Sequence, residues 1–284
     1  MHAAHASADV EWASAVAHME RSAALTRPVD QATLEWLAVP PGARVADVGC
    51  GAGGMTVLLA AAVGPTGHVV AVDGERALLE ATAHRADREG VGDRVTTIRH
   101  DLAAGAPRTD AFDLIWAAHV VHHLPDQQAA LDGLAALLTP GGRLALAEGG
   151  LPSRGLPWDL GVGEPGLHDR LAAAVDAWFG SMRNGIDGAR RMPYGWSTAM
   201  ANAGLVDVDT RTFLLDVAAP LTAEQRTHLV DEISGQVERL AERLSADDVA
   251  AWERLLDPDA AEYLGRRDDT YRLSANTVHV GTRP

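Results

Sequence analysis

The sequence contains no lysine. All 24 of its basic residues are arginine, which excludes lysine Schiff-base chemistry and the phosphate-gripping lysine of a P-loop. Cysteine is nearly absent. Cys50 stands alone, so no internal disulfide can form, and a reducing cytoplasmic setting is expected. No apolar run approaches the roughly 18 residues of a membrane span. No block of cations occurs either, and the net charge is −15. Phosphate backbones bind through clustered cations, so a nucleic-acid partner is not expected. Met1–Asp9 lacks a basic stretch followed by an apolar core and does not read as a signal peptide.

What is present is ordinary globular material. The 284 residues are 47% hydrophobic, enough for one large domain or one domain with an inserted cap. The chain centres on Val45-Ala46-Asp47-Val48-Gly49-Cys50-Gly51-Ala52-Gly53-Gly54. There an apolar run with a carboxylate near its end meets a burst of glycines. Met55–Val63 then reads as a helix. Strand, glycine turn and helix together bring backbone close to a nucleotide-like ligand. Glycine suits the turn because it allows positive φ and carries no Cβ to block the ligand.

Residues 10–38 read as two helices. The first carries Trp12, Val16 and Met19, and the second is capped by Asp30. From 43 to 149 strands and helices alternate. The expected strands are Arg44–Val48, His68–Asp73, Arg94–Arg99, Phe112–Ala117 and Arg143–Glu148, with Pro140-Gly141-Gly142 as a turn before the last. Glu75–Arg88 and Asp126–Leu138 are the expected helices. Near-continuous apolar strands in such an alternation mean a parallel sheet buried on both faces. Gly149-Gly150 onward reads as loop material, followed by helices at His168–Phe179 and Ser197–Ala203 and a strand at Leu205–Val217. Thr222-Ala223-Glu224-Gln225 has capping-box spacing and opens a helix. Ser245 opens another, and Tyr271–Val280 reads as a final strand. The expected organisation is 1–42 as helices covering the site, 43–150 as the ligand-binding core, and 151–196 as a cap. Residues 197–284 complete the sheet and carry an inserted helical pair, 222–264. That pair reads as cover for the site or as a homodimer face.

The spacing Gly49-x-Gly51-x-x-Gly54, with Asp73 about twenty residues on, also fits a dinucleotide fingerprint. Two features decide against NAD and a nicotinamide oxidoreductase. Asp47 would repel a pyrophosphate, whereas S-adenosylmethionine (SAM) presents a cationic amino group and sulfonium; unit charges in contact interact by about 4 kcal/mol near a protein surface. Asp101, just past the third strand, can bond an adenine amine while Leu102 packs on the ring. Asp73 is placed for the ribose hydroxyls.

On these residues, and on Val70–Asp73, His100-Asp101, Phe112–Ile115, His122–Asp126 and Leu138–Gly142, the chain resembles the class I SAM-dependent methyltransferases, in particular the ubiquinone/menaquinone-biosynthesis-like branch. The resemblance covers about residues 43–150. It implies a Rossmann-like α/β fold: a seven-stranded, mostly parallel sheet with helices on both faces and an antiparallel last strand, here with a helical cap. It implies SAM contacts at Asp47, Gly49, Cys50, Gly51, Asp73, Gly74, Asp101, Leu102, Ala118 and His119. It also implies methyl transfer to oxygen, nitrogen or carbon of a small natural-product-like or quinone-like acceptor. The alternatives are a SAM-binding protein without methyl transfer and, disfavoured by Asp47 and Asp101, an NAD-dependent oxidoreductase.

A base is needed only if the acceptor must lose a proton. His119, His122 and His123 follow the fourth strand at the ligand-binding edge, and a histidine titrates near neutrality. Either one of them is the base or they shape the loop; in the resembled family the histidine of this motif is usually not the base. Glu148 is a base, a partner of the SAM amino group, or an acceptor for a loop amide. The histidines lack the i, i+4 spacing of a helical metal pair, and no metal is expected. Cys50 reads as a small loop residue. Trp158, His168, Trp178, Arg183, Arg190, Arg191, Tyr194 and Trp196 are candidates to line an acceptor pocket, with Arg190-Arg191 placed for an anionic group.

Overall fold

The computed structural model describes residues 12–284. The expectation about Met1–Asp9 falls outside them. Among the described residues, no helix is long and apolar enough to cross a membrane. The chain divides into two compact units. Unit 1 holds the described residues up to Gly150, Ile186–Phe213 and Asn276–Pro284; unit 2 holds Leu151–Gly185 and Leu214–Ala275. The segment 151–196 is therefore split between them at 185/186.

Unit 1 is built on the sheet. Its strands are β1 (Arg44–Val48), β2 (His68–Asp73), β3 (Val95–Arg99), β4 (Phe112–Ala118), β5 (Leu138–Arg154), β6 (Val206–Val217) and β7 (Arg272–Thr282), in the order β3-β2-β1-β4-β5-β7-β6. The first five pair in parallel. Val45, Val69 and Leu114 lie side by side across β1, β2 and β4 and are fully buried. These apolar runs form the core because helices cover both of their faces. β7 runs against its neighbours: Gly141 N–H donates to Arg283 O and Arg283 N–H to Gly142 O, at the end of β7 opposite the start of β5.

The register positions the site. Val48 pairs with Val72 of β2 and with Ala117 of β4, and Ala118 pairs with Ala147 of β5. The residues just beyond them, Gly49, Asp73, His119 and Glu148, therefore come to one edge. β1 lies between β2 and β4, so strand order reverses there, and a reversal opens a crevice at the carboxyl edge. α2 (Gly54–Val63) and α3 (Arg76–Arg88) follow β1 and β2. α4 (Gln127–Ala136) is capped by Asp126, which accepts the Ala129 N–H. α6 is Trp196–Asn202.

Two expectations fail in unit 1. Among the described residues, the two helices expected over 10–38 are one helix, α1 (Trp12–Leu37), that runs through Pro28. Asp30 is not a cap; it accepts the Thr26 hydroxyl at 2.9 Å inside the helix. Proline removes one helical hydrogen bond and crowds the preceding turn. Packing outweighs that cost here. Ahead of Pro28, Glu20 pairs with Arg88 and Arg27 with Glu89; after it, Val29, Thr33 and Leu37 form a buried i, i+4, i+8 face. The second failure concerns β5. Pro140-Gly141-Gly142 does not end a connection but bulges within the strand, where the pairing jumps from Phe112↔Leu138 to Leu114↔Arg143. Gly149 and Gly150 are not loop either; they continue the strand with φ of 80° and 121°.

Unit 2 is helical, with α5 (Leu167–Gly185), α7 (Ala223–Leu240) and α8 (Ala246–Leu256). α7 opens on the expected capping box of Thr222 and Gln225, and Ser245 caps α8. Leu171, Leu229, Ile233, Trp252 and Leu255 pack into its core.

Candidate functional site

The glycine turn leaves β1 with its amides tied to β2. Gly49 and Cys50 N–H both donate to Val72 O, at 2.7 and 3.1 Å. Gly49, Gly51 and Gly53 have φ of 70°, 54° and 77°, the left-handed region that side chains resist. At Gly49 space is also decisive, because a Cβ would lie 2.0 Å from Val120 Cγ2. Gly51 is the open position. A Cβ there would meet only Met19 Sδ of α1, at 3.7 Å, among the described residues.

Asp47 and Asp73 flank this turn. Asp47 is 2% exposed and accepts the Thr56 hydroxyl at 2.6 Å. Burial raises its carboxyl pKa to about 7; Asp73 and Asp30 push the same way, and the Thr56 hydrogen bond opposes them. Asp73 ends β2. It accepts Glu75 N–H on Oδ1 at 2.9 Å and Gly51 N–H on Oδ2 at 3.1 Å. Its pKa is raised by burial, against which the amide bonds work. Gly74 O accepts from Arg99 Nε. Asp101 is exposed and caps the short 3-10 turn Leu102–Ala104 by accepting Ala103 N–H. Leu102 shares a narrow apolar recess with Val48, Ala106, Val120 and Val121. Cys50 is buried and its thiol pKa is pushed far up, by burial first and then by Asp47 and Asp73; a thiol so held is no nucleophile.

The other half of the edge is organised by Glu148, which is 2% exposed. Its Oε1 accepts N–H from Val120, Val121 and His122 at 3.1, 2.9 and 3.3 Å. Its Oε2 lies 2.6 Å from His122 Nδ1. Of the three roles expected for Glu148, these contacts are those of the loop-amide acceptor. His122 Nε2 in turn lies 3.0 Å from His123 Nε2. His119 follows Ala118 with φ of 55°, unusual for a residue with a side chain. Its ring is exposed in part, yet desolvation by the surrounding loop lowers its pKa, with Glu148 opposing and His122 adding.

His119, His122 and Glu148 offer ligand atoms within 4.8 Å of one another. The acid that joins the histidines is Glu148, brought from β5, and not Asp113, which lies near the start of β4. With Glu148 Oε2 engaged by His122 Nδ1, an ion would have to displace that hydrogen bond.

The remaining candidates scatter. Arg190 pairs with Asp126 at 3.1 Å. Tyr194 donates to Gln128. Trp196 packs against the sheet core, and Trp178 against the helical core of unit 2, where Arg239 lies over its ring. Trp158 is 69% exposed. Thr56 and Thr82, which hold Asp47 and Gly51, have no sequence signature beyond their helical position.

Known proteins bear on this arrangement in three ways. Residues 46–144 match the family described as a methyltransferase domain. A trans-aconitate 2-methyltransferase of Methylobacterium radiotolerans is 32% identical over 215 residues, covering 65% of this chain and 74% of that protein. Methyltransferase GfsG of Streptomyces halstedii is 39% identical over 114 residues, 40% of each protein, so the chain spans about two fifths of that relative's length. Among solved structures, the YcgJ protein of Bacillus subtilis shares the fold with a TM-score of 0.51 at 18% identity, over 90% of this chain and 98% of that one. The chain belongs to the class I SAM-dependent methyltransferases.

Proposed function

We propose that the protein transfers a methyl group from SAM to oxygen, nitrogen or carbon of a small organic acceptor. The observation that carries this reading is the placement of Asp47, Asp73 and Asp101 at the ends of β1, β2 and β3, around a glycine turn that stands open at Gly51. When bound, SAM supplies an electrophilic methyl on a positively charged sulfur. Asp47 provides the compensating negative charge for the cationic part. Asp73, fixed by its bonds to Gly51 and Glu75 amides, accepts from the ribose hydroxyls with its remaining lone pairs. Asp101 and Leu102 take the adenine. Much of the rate comes from holding nucleophile and methyl in line, so the rigid turn matters more than any single reactive group.

Asp47 gives a pH dependence with a definite sign. Its folded pKa, about 7, lies above the ordinary carboxyl value, so the unliganded fold binds the extra proton. That contribution to stability is fully present below about pH 4 and is lost as pH rises through about 7. A cationic ligand needs the ionised form. SAM affinity is therefore expected to rise up to tenfold per pH unit below 7 and to level off above it. Calorimetry across pH 5.5–8.5 checks this, and Asp47→Asn is expected to flatten the curve.

For an acceptor that must lose a proton, His123 is the base. If Glu148 accepts from His122 Nδ1, then His122 Nε2 accepts from His123 Nε2, and His123 Nδ1 is left as the unprotonated nitrogen. A general base contributes about 10²–10⁴ in rate. His123→Ala is expected to cost at least about 10² in kcat with SAM affinity unchanged. Incubation with methyl-labelled SAM and a panel of phenols, carboxylic acids and enols tests the reading. Labelled product from at least one acceptor supports it; tight SAM binding without product from any would favour a SAM-binding protein that does not methylate.

A further inference from the structure

We propose that unit 2 holds a binding site for a flat organic anion, a fused or conjugated ring system bearing a carboxylate. This goes beyond the methyl-transfer reading and does not depend on it. The site is a cavity of about 250 Å³ lined by Arg154, Pro157, Trp158, His168, Asp169 and Tyr271. All six residues belong to unit 2.

Two of the lining residues each carry a nitrogen that is buried without a hydrogen-bond partner: Arg154 Nη1 and His168 Nδ1. An unpartnered buried polar atom costs about 1–3 kcal/mol, and folded proteins keep few of them. A pair carried by residues of one lining points to a group that completes both. Arginine only donates, so the missing partner must accept. Arg154 Nη2 already faces Asp169 Oδ1 at 3.3 Å, which leaves the other branch of the guanidinium for a second acceptor. A carboxylate suits it, because its two oxygens can meet the planar fork and a neighbouring donor together. Burial, and next the charge of Arg154, lower the His168 pKa. The imidazole is therefore neutral at pH 7 and can present Nδ1 as the second donor. α5 begins at Leu167, so the positive end of its dipole falls on the same lining residues.

The flat part of the ligand is set by Trp158. It is 69% exposed, and its backbone is tied to the residue that precedes α5. Gly166 N–H donates to Trp158 O at 2.7 Å, and a Cβ on Gly166 would approach the indole Nε1 to 3.3 Å. Tyr271 is likewise fixed, donating its hydroxyl to Leu156 O at 3.3 Å. Aromatic walls with a few convergent polar atoms are the usual makeup of a small-molecule site.

The test uses the full chain with 2-naphthoate and its uncharged analogue 2-naphthamide, titrated by calorimetry. The expected result is at least tenfold tighter binding of the acid. Arg154→Leu should erase that preference, and Trp158→Ala should weaken both probes. Asp73→Ala, which disables the proposed SAM site, should leave both affinities unchanged, so failure of one reading is separable from failure of the other. If Arg154→Leu does not fold, Arg154→Gln makes the same comparison. Absence of binding at millimolar concentration, equal affinity for acid and amide, or a preference that survives loss of the Arg154 charge would overturn the proposal.

Discussion

Replacing Glu148 by alanine is expected to destabilise the protein by about 3–5 kcal/mol, the usual cost of removing one side of a buried, charged hydrogen-bonded set. The substitution strips an acceptor from Val120, Val121 and His122 N–H and from His122 Nδ1 at once. Glu148 is closed to solvent, so water cannot readily take over. Urea denaturation of parent and variant reads the loss, and a change below about 1 kcal/mol would remove Glu148 from its role as loop anchor. Glu148→Gln separates anchoring from chemistry. Its amide oxygen can still accept from the loop, while its NH2 group faces His122 Nδ1 and reverses the donor order along His122 and His123. The glutamine variant is expected to keep most of the stability and to lose activity on acceptors that require deprotonation. Equal activity of the two proteins would rule out the histidine relay.

Gly49→Ala is expected to cost about 2–5 kcal/mol, from roughly 1–2 for a side chain in the left-handed region and 1–3 for overpacking. The new methyl would lie 2.0 Å from Val120 Cγ2, closer than two carbons can approach without bond formation. Val120 is held by the same amide–Glu148 contact that sets the loop, so it cannot simply retreat. The double variant Gly49→Ala/Val120→Ala should recover about half of the loss, because it removes the collision but not the strain at φ of 70°. Thermal unfolding of the single and double variants checks this. No recovery would mean that backbone strain alone accounts for the glycine.

These two positions also show what the sequence can and cannot disclose. β1 and β2 were legible because a strand buried on both faces must be apolar along its whole length. α7 was legible because Thr222 and Gln225 satisfy its first amides locally. The glycine turn and its carboxylates were legible because the turn needs glycine and a cationic ligand needs acids. What escaped depends on distant partners. Pro28 reads as a break, yet Glu20 and Arg27 in the same helix are tied to α3. Gly149-Gly150 reads as loop, yet β5 continues to Arg154 beside β7, where Tyr271 N–H reaches Gly155 O. The sequence offers a loop amide as one of three roles for Glu148 but cannot select it, because any residue supplies an amide and only the fold brings His122 Nδ1 to the same carboxylate. The same holds for the unpartnered atoms of Arg154 and His168.

The central claim, that the acid-flanked glycine turn binds SAM, is tested most directly by isothermal titration of the parent protein and Asp73→Ala with SAM and S-adenosylhomocysteine. Two hydrogen bonds to a charged acceptor are together worth about 3 kcal/mol or more. Binding of both ligands to the parent is predicted, with at least about a 10²-fold weaker affinity in Asp73→Ala. No binding by the parent, or undiminished binding by the variant, would contradict the account.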